Sequence, residues 1–441
     1  MNSFGPPAFV ILESEVGPVP VLGVDTDSCF TSYNFATSDL TVELIDADGV
    51  NGSDLLVFDR ENPGLFSPRG ATPTRDSPFD GEFPLPPEAQ GRSIGVGPLF
   101  GSRDDLVSRV DESRLNVLSY DDSLGNYVAL NPAIGATSSR GLAPRIGDFD
   151  GDGDNDIVEA ADSALLVHLN PGDGTSAFET RTVDLGAIVV AYAVGELAGG
   201  APGADIAVLV REAADPDDEL ATASLFIVSN LTVPSMPVAG GIEFVLTSGG
   251  PLDDQHQNIL LEVEDANRDG TDDIFVVRAV SEDEATAVFF TRPDTEWREV
   301  AFFEDAIEAR PERVRFLDVN ADGDTDILLF LNDNSVAVYL GLSGAELNFI
   351  QSDDVALNGR DVAVLVGENT TDFVIASIEG ASDRTVRICI TPEIPPPPSD
   401  LYREDSTDEE LQGDPSLLLV TDRSIGRAFD RRDDKVRRVL T

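Results

Sequence analysis

Lysine is almost missing from this chain. Lys435 is the only one, every other basic side chain is arginine, and 29 basic residues face 82 acidic ones, for a formal charge of −53. Phosphate backbones are held by stripes of Lys and Arg, and none occurs before the C-terminus, which argues against a nucleic-acid partner. Cysteine is scarce as well: Cys29 and Cys389 stand near opposite ends, with no CxxC and no Cys/His spacing. That excludes a zinc site and haem attachment. Histidine is limited to His168, inside the apolar run "ALLVHLN", and His256. No nucleophile elbow, phosphate-binding glycine loop or paired-histidine motif accompanies them, so catalysis has little to stand on. No stretch approaches the ~18 uninterrupted apolar residues of a membrane span. The opening "MNSFGPPAFVILESE" lacks a basic start and a cleavage site, so it does not read as an intact secretory signal; export would need a removed leader or another route.

What the chain does have is 41% hydrophobic residues in many short clusters, enough to expect a folded protein despite its charge. A surface rich in acid and poor in lysine suits high salt, where screening suppresses self-repulsion. An acidic extracellular protein from a GC-rich genome is the alternative reading.

Residues 148–158 read "DFDGDGDNDIV", five aspartates within nine residues. The spacing D-x-D-x-D-G-x-x-D puts oxygen side chains at positions 1, 3, 5 and 9 and a glycine at the sharp turn. That is the oxygen-rich, flexible shell Ca²⁺ prefers. "DANRDGTDD" at 265–273 and "DVNADGDTD" at 318–326 repeat it, with Asn267 and Asn320 at position 3. An EF-hand would need flanking helices and a carboxylate at position 12. Glu159 occupies that place in the first loop, but Val276 and Leu329 occupy it in the others. The segments that follow, "DIVEA", "DIFVV" and "DILLF", are short and apolar, and predict strands.

Weaker copies share the final aspartate and the strand after it. Asp54, Asp105, Asp156, Asp205, Asp273, Asp326 and Asp372 are separated by 51, 51, 49, 68, 53 and 46 residues. Between 156 and 205 four short strands can be read, too few to bury both faces of a sheet alone. Neighbouring repeats must therefore stack, as blades do in a β-propeller. The expected fold is all-β, a propeller of four-stranded antiparallel blades, seven from the markers and eight as the alternative. It would span residues 1–390, with an acidic Pro-rich linker at 391–413 and a C-terminal segment at 414–441 ending in a basic tail.

The aspartate loop followed by an apolar strand and the "LLVHLNPGDG" hairpin resembles the FG-GAP/VCBS-type repeats of integrin-α-like propellers, over residues ~40–390. In that family the loop joins the first two strands of a blade and binds calcium. The resemblance implies Ca²⁺ at three sites, with side chains of Asp148, Asp150, Asp152 and Asp156 and the carbonyl of Asp154 as ligands in the first. The second would use Asp265, Asn267, Asp269 and Asp273 with the Thr271 carbonyl; the third Asp318, Asn320, Asp322 and Asp326 with the Asp324 carbonyl. A weaker fourth site would use Asp46, Asp48 and Asp54, with Val50 at position 5.

A propeller fastens its first blade to its last, and residues 8–12 and 417–420 are the candidate closing strands; the echo of 52–66 in 413–429 would alternatively be an eighth blade. In a closed ring Cys29 and Cys389 fall on adjacent blades, so a disulfide could staple the closure; two free thiols are the other reading. Segments 59–90, 211–223 and 247–258 read as irregular surface loops. The resemblance implies a non-catalytic, calcium-stabilised interaction or adhesion module, extracellular or at a cell surface, binding protein or serving in a surface assembly. A glycan-binding lectin is the alternative, and a polysaccharide lyase a distant third. Oligomeric state is not legible.

Overall fold

The computed structural model describes residues 29–35, 40–49, 54–59, 64–67, 81–89, 93–111, 114–130, 134–135, 142–172, 177–197, 203–211, 221–229, 238–246, 259–281, 284–292, 297–301, 311–318, 324–331, 335–341, 347, 349–352, 361–366, 371–379 and 383–390. Apart from one 3-10 turn at Pro87–Ala89, every regular element among them is a β-strand, and no described helix is long and apolar enough to cross a membrane.

The strands form seven small antiparallel sheets among the described residues. The first holds Leu40–Ile45, Asp54–Asp59, Gly64–Ser67 and Gly81–Pro84. In the second, Ser93–Gly97, Asp105–Asp111 and Arg114–Asp121 are followed by an outer strand in two pieces, Asn126–Ala129 and Ile134–Gly135. The third is Arg145–Gly147, Asp156–Ala161, Ala164–Leu169 and Glu179–Asp184; the fourth Ile188–Gly195, Asp205–Arg211, Ala221–Val228 and Val238–Leu246. The fifth is Ile259–Glu264, Asp273–Ser281, Glu284–Thr291 and Arg298–Ala301; the sixth Pro311–Leu317, Asp326–Leu331, Val336–Gly341 and Phe349–Ser352. The seventh takes Asp361–Val366, Thr371–Glu379 and Asp383–Ile390, and its outer strand is Cys29–Phe35 from the other end of the chain.

Each described marker aspartate opens a second strand, except Asp372, which is second in its strand. Second strands such as "DILLFL" are buried along their whole length, whereas the outer strand "ETRTVD" is largely exposed. Continuous apolar runs are what a strand covered on both faces requires, and the core accordingly lies between sheets. Val158 and Leu165 of the third sheet pack with Ile206 and Val208 of the fourth, and Leu209 of the fourth with Ile274 and Val276 of the fifth. Phe275 and Phe289 of the fifth meet Ile327 and Leu329 of the sixth. Ile45 and Leu56 of the first join Leu106 and Leu118 of the second, and Val107 of the second joins Ile157 of the third. First strands adjoin in chain order from the second sheet to the seventh, and the first strand of the seventh adjoins that of the first.

One sequence expectation needs correction. Segment 59–90 is not simply irregular, because two four-residue strands and the 3-10 turn lie within it; Gly and Pro around them masked so short a signal. The strand that joins the chain ends is Cys29–Phe35, while 8–12, 413–429 and 417–420 lie outside the described residues. Its register sets Cys29 directly opposite Cys389.

Candidate metal loops and the aspartates behind them

The loop 148–156 leaves the strand Arg145–Gly147 and returns with Gly147 opposite Asp156. Gly151 and Gly153 adopt φ of +74° and +96°, a left-handed backbone that glycine reaches without penalty and that folds alternate carboxylates to one side. Asp148 accepts the amides of Gly151 and Gly153 at 2.7 and 3.0 Å, and Asp152 accepts that of Asp154 at 3.0 Å. One oxygen each from Asp148, Asp150 and Asp156 lies within 4.8 Å of the others. Burial pushes the Asp156 carboxyl up to about 7; burial and then Asp152 raise that of Asp150. Asp152 is exposed, and Asp154 turns its carboxylate against Gly172, where a Cβ would collide with it. The side chain of Asp154 thus faces the hairpin, in keeping with a carbonyl as its only possible ligand.

The loop 265–273 folds alike. Asp265 accepts the amides of Asp269 and Gly270 at 2.9 Å each, and Asn267 and Asp269 accept those of Asp269 and Thr271 at the same length. Asp273 is 1% exposed, and its Oδ2 is buried with no hydrogen-bond partner among the described residues. A buried carboxylate oxygen left bare is costly unless something positive answers it. Burial pushes this carboxyl also up to about 7.

In the third loop Asp318, Asp324 and Asp326 are described, whereas Asn320 and Asp322 lie outside the described residues. The loop at 46–54 differs: Asp46 accepts the Gly49 amide at 2.8 Å, and Asp54 the Ala47 amide at 3.1 Å. Arg103 of the neighbouring sheet lies against Gly49. Its guanidinium, held up first by Asp122 at 2.8 Å, also feels Asp48 and Asp46. This loop already has a cation beside it.

The final aspartates also brace the fold, a task that the loop spacing hid. Asp54, Asp105, Asp156, Asp205, Asp273 and Asp326 are all 3% exposed or less. Asp105 accepts the amides of Leu99 and Phe100 at 2.9 and 3.0 Å, Asp156 that of Phe149 at 3.0 Å, and Asp205 that of Leu197 at 3.0 Å. Asp156 also takes the Asn170 amide at 2.7 Å, and Asp326 the Gly341 amide at 2.8 Å, both from the end of the third strand. Each such carboxylate clasps the loop to the sheet. That explains why the aspartate survives at 105 and 205, where the other ligand positions have decayed.

The residue before this aspartate links neighbouring sheets, and sequence reasoning missed it. Asp104 exchanges two bonds of 2.8 Å with the backbone of Asp46. Asn155 Nδ2 donates to the Pro98 carbonyl at 2.7 Å, the Ala204 amide to the Asp148 carbonyl at 2.5 Å, and Asp272 pairs with Glu196. The signal available was a polar residue at position 8 in three of these four loops, Asp104, Asn155 and Asp272, with Ala204 acting through its backbone in the other. Glu159, at position 12, belongs to the core instead. It is fully buried, paired with Arg109 of the second sheet and 3.1 Å from His168 Nε2. His168 Nδ1 meets Thr180 Oγ1 at 2.9 Å, so this histidine is committed to the packing between sheets; His256 lies outside the described residues.

No family model matches the chain, and no curated protein is similar to it.

One pH consequence follows. Because Asp156 and Asp273 hold their protons up to about 7 when folded, against an ordinary 3.8, the metal-free protein binds more protons folded than unfolded. Its stability should fall as pH rises from about 4 to about 7. Urea unfolding in EDTA across that range checks this, and added Ca²⁺, which needs the ionised carboxylates, should flatten the slope.

Proposed function

We propose that this chain is a calcium-stabilised β-propeller of seven blades, acting outside the cytoplasm as a non-catalytic module that binds protein or serves in a surface assembly. The observation that carries the calcium reading is the convergence of Asp148, Asp150 and Asp156 within 4.8 Å. The bare Oδ2 of Asp273 supports it in a second loop of the same grammar. An all-oxygen set with amide-braced carboxylates fits Ca²⁺ better than Mg²⁺, which demands near-ideal octahedral geometry. Asp148, Asp150, Asp152 and Asp156 would hold one ion with the Asp154 carbonyl. Asp265, Asn267, Asp269 and Asp273 would hold another with the Thr271 carbonyl, and 318–326 a third. Arg103 fills the electrostatic need of 46–54, so that loop is left out of the metal set.

The propeller reading is supported by seven sheets whose first strands adjoin in order, and by the strand Cys29–Phe35 that brings the chain's start to the seventh sheet. Cys29 opposite Cys389 suits a staple across that closure. Intact mass with and without reductant should differ by the two hydrogens of one disulfide. Against catalysis stands the burial of His168, whose ring nitrogens are hydrogen-bonded to Glu159 and Thr180.

Thermal unfolding in EDTA, Ca²⁺ or Mg²⁺, at low and at molar NaCl, tests the calcium claim. Ca²⁺ should raise the midpoint at both salts and Mg²⁺ should not; a site filled at 100 times its Kd contributes about 2.7 kcal/mol. Asp150→Asn should remove part of the Ca²⁺ effect and leave the EDTA midpoint nearly unchanged. If NaCl supplies the entire rise and Ca²⁺ none, the aspartates serve salt adaptation and the calcium reading fails.

A further inference from the structure

The first strands carry a pattern of their own. Two residues past the aspartate marker of each second strand, the register faces Leu56, Val107, Val158, Ala207, Phe275, Leu328 and Val374 with Glu43, Gly95, Arg145, Ala193, Glu262, Arg315 and Ala363. These seven residues occupy one level of the seven first strands. In sheet order they read Glu, Gly, Arg, Ala, Glu, Arg, Ala. The charges alternate in sign, and the positions between are the smallest side chains available.

The charged four reach one another over intervening sheets. Arg145 Nη2 lies 3.2 and 3.4 Å from the two carboxylate oxygens of Glu262, although the fourth sheet stands between them in the chain. Arg315 Nη1 lies 3.2 Å from Glu43 Oε1 past the seventh sheet, and its Nη2 donates to the Val42 carbonyl at 3.3 Å. Glu262 raises the Arg145 guanidinium above its ordinary value, Glu43 adds to this, and Arg315 opposes it. The two pairs therefore share one field. These side chains keep between 24% and 39% of their surface open. Half-open side chains that bridge first strands across an intervening sheet, where the first strands themselves adjoin, face the space those strands surround.

We propose that the first strands surround a central passage, and that Glu43, Arg145, Glu262 and Arg315 close it as a single charge-neutral network tying sheets that are not neighbours. This rests on the ring reading above. Two consequences follow for function: there is no open route along the axis, so a partner meets the loop faces or the rim; and the closure weakens with salt, because these charges are wet and screening reaches them.

Glu43→Gln, Arg145→Gln and the double variant test the network, since those two side chains feel each other without a direct bond. At low salt each single change should lower the thermal midpoint by about 1–3 °C, and the double by less than the two together. In molar NaCl the differences should shrink. Additive losses at low salt would overturn the network. A second variant, Arg145→Cys with Glu262→Cys, treated with a short bis-maleimide and mapped by mass spectrometry, tests the passage itself. A bridge between 145 and 262 is expected. No bridge overturns the passage and the ring with it, whereas a bridge alongside additive midpoints overturns only the charge network.

Discussion

Replacing Arg109 by methionine should lower the unfolding free energy by about 3–5 kcal/mol, the usual cost of removing one member of a buried ion pair. Arg109 rises from the second strand of the second sheet and is 1% exposed; Glu159, in the second strand of the third sheet, is fully buried. Their pairing is a buried ion pair between two sheets that also pack through Val107, Leu115 and Ile157. Without the guanidinium, Glu159 would keep, among the described residues, His168 at 3.1 Å as the partner of its buried carboxyl. Glu159→Gln should cost a similar amount for the mirror reason: Arg109 already has Nε and Nη1 buried with no hydrogen-bond partner among the described residues, and it would lose the carboxylate that offsets them. Arg109→Met combined with Glu159→Leu should regain most of the loss, because apolar replacement of a whole buried pair is often close to neutral. Urea unfolding followed by two independent probes measures this, since a chain of stacked sheets need not unfold in one step. A single variant as stable as the parent would mean that the pair contributes nothing.

How far these features were legible in the sequence depended on whether their signal was local. The marker aspartates land where expected because the loop grammar and the strand after it lie within about a dozen residues. Glycines 151 and 153 announce their left-handed turns in the same way. The closing strand Cys29–Phe35 was not anticipated, because nothing in "CFTSYNF" says that its partner is Asp383–Ile390. Arg109 and Glu159 are fifty residues apart, and each read as a stray charge in an apolar strand until the sheets were stacked. The four charged residues of the central level were hidden more deeply. Their common phase appears only when each is counted from its own sheet's aspartate, and their pairing skips a sheet. Arg103 is the opposite case: it sits in the decayed loop "GPLFGSRDD", where no metal pattern drew attention to it.

The second large effect is expected at Asp105, in a loop with no metal set. Asp105→Ala should cost about 3–5 kcal/mol, from two hydrogen bonds to a buried carboxylate at roughly 1.5–3 each. The amides of Leu99 and Phe100 both donate to the same oxygen, Oδ2, and Ser119 of the third strand also bonds this carboxylate. Truncation would strand these donors beside a residue that is 3% exposed. Asp105→Asn should be far milder. One amide oxygen can still accept both backbone N–H groups, and burial already raises this carboxyl, so the charge itself is not what the site favours. Neither substitution should alter the rise in midpoint expected with Ca²⁺. At Asp156 the same alanine change should do both kinds of damage, lowering the EDTA midpoint through the lost bonds to Phe149 and Asn170 and removing the Ca²⁺ response of its loop. Asp150→Asn should do only the second. Three variants thus separate clasp from ligand, because each task rests on a different set of donors. If Asp105→Ala left the midpoint unchanged, the aspartate at this position would owe its recurrence to metal alone, and the loops at 105 and 205 would have no physical reason to keep it.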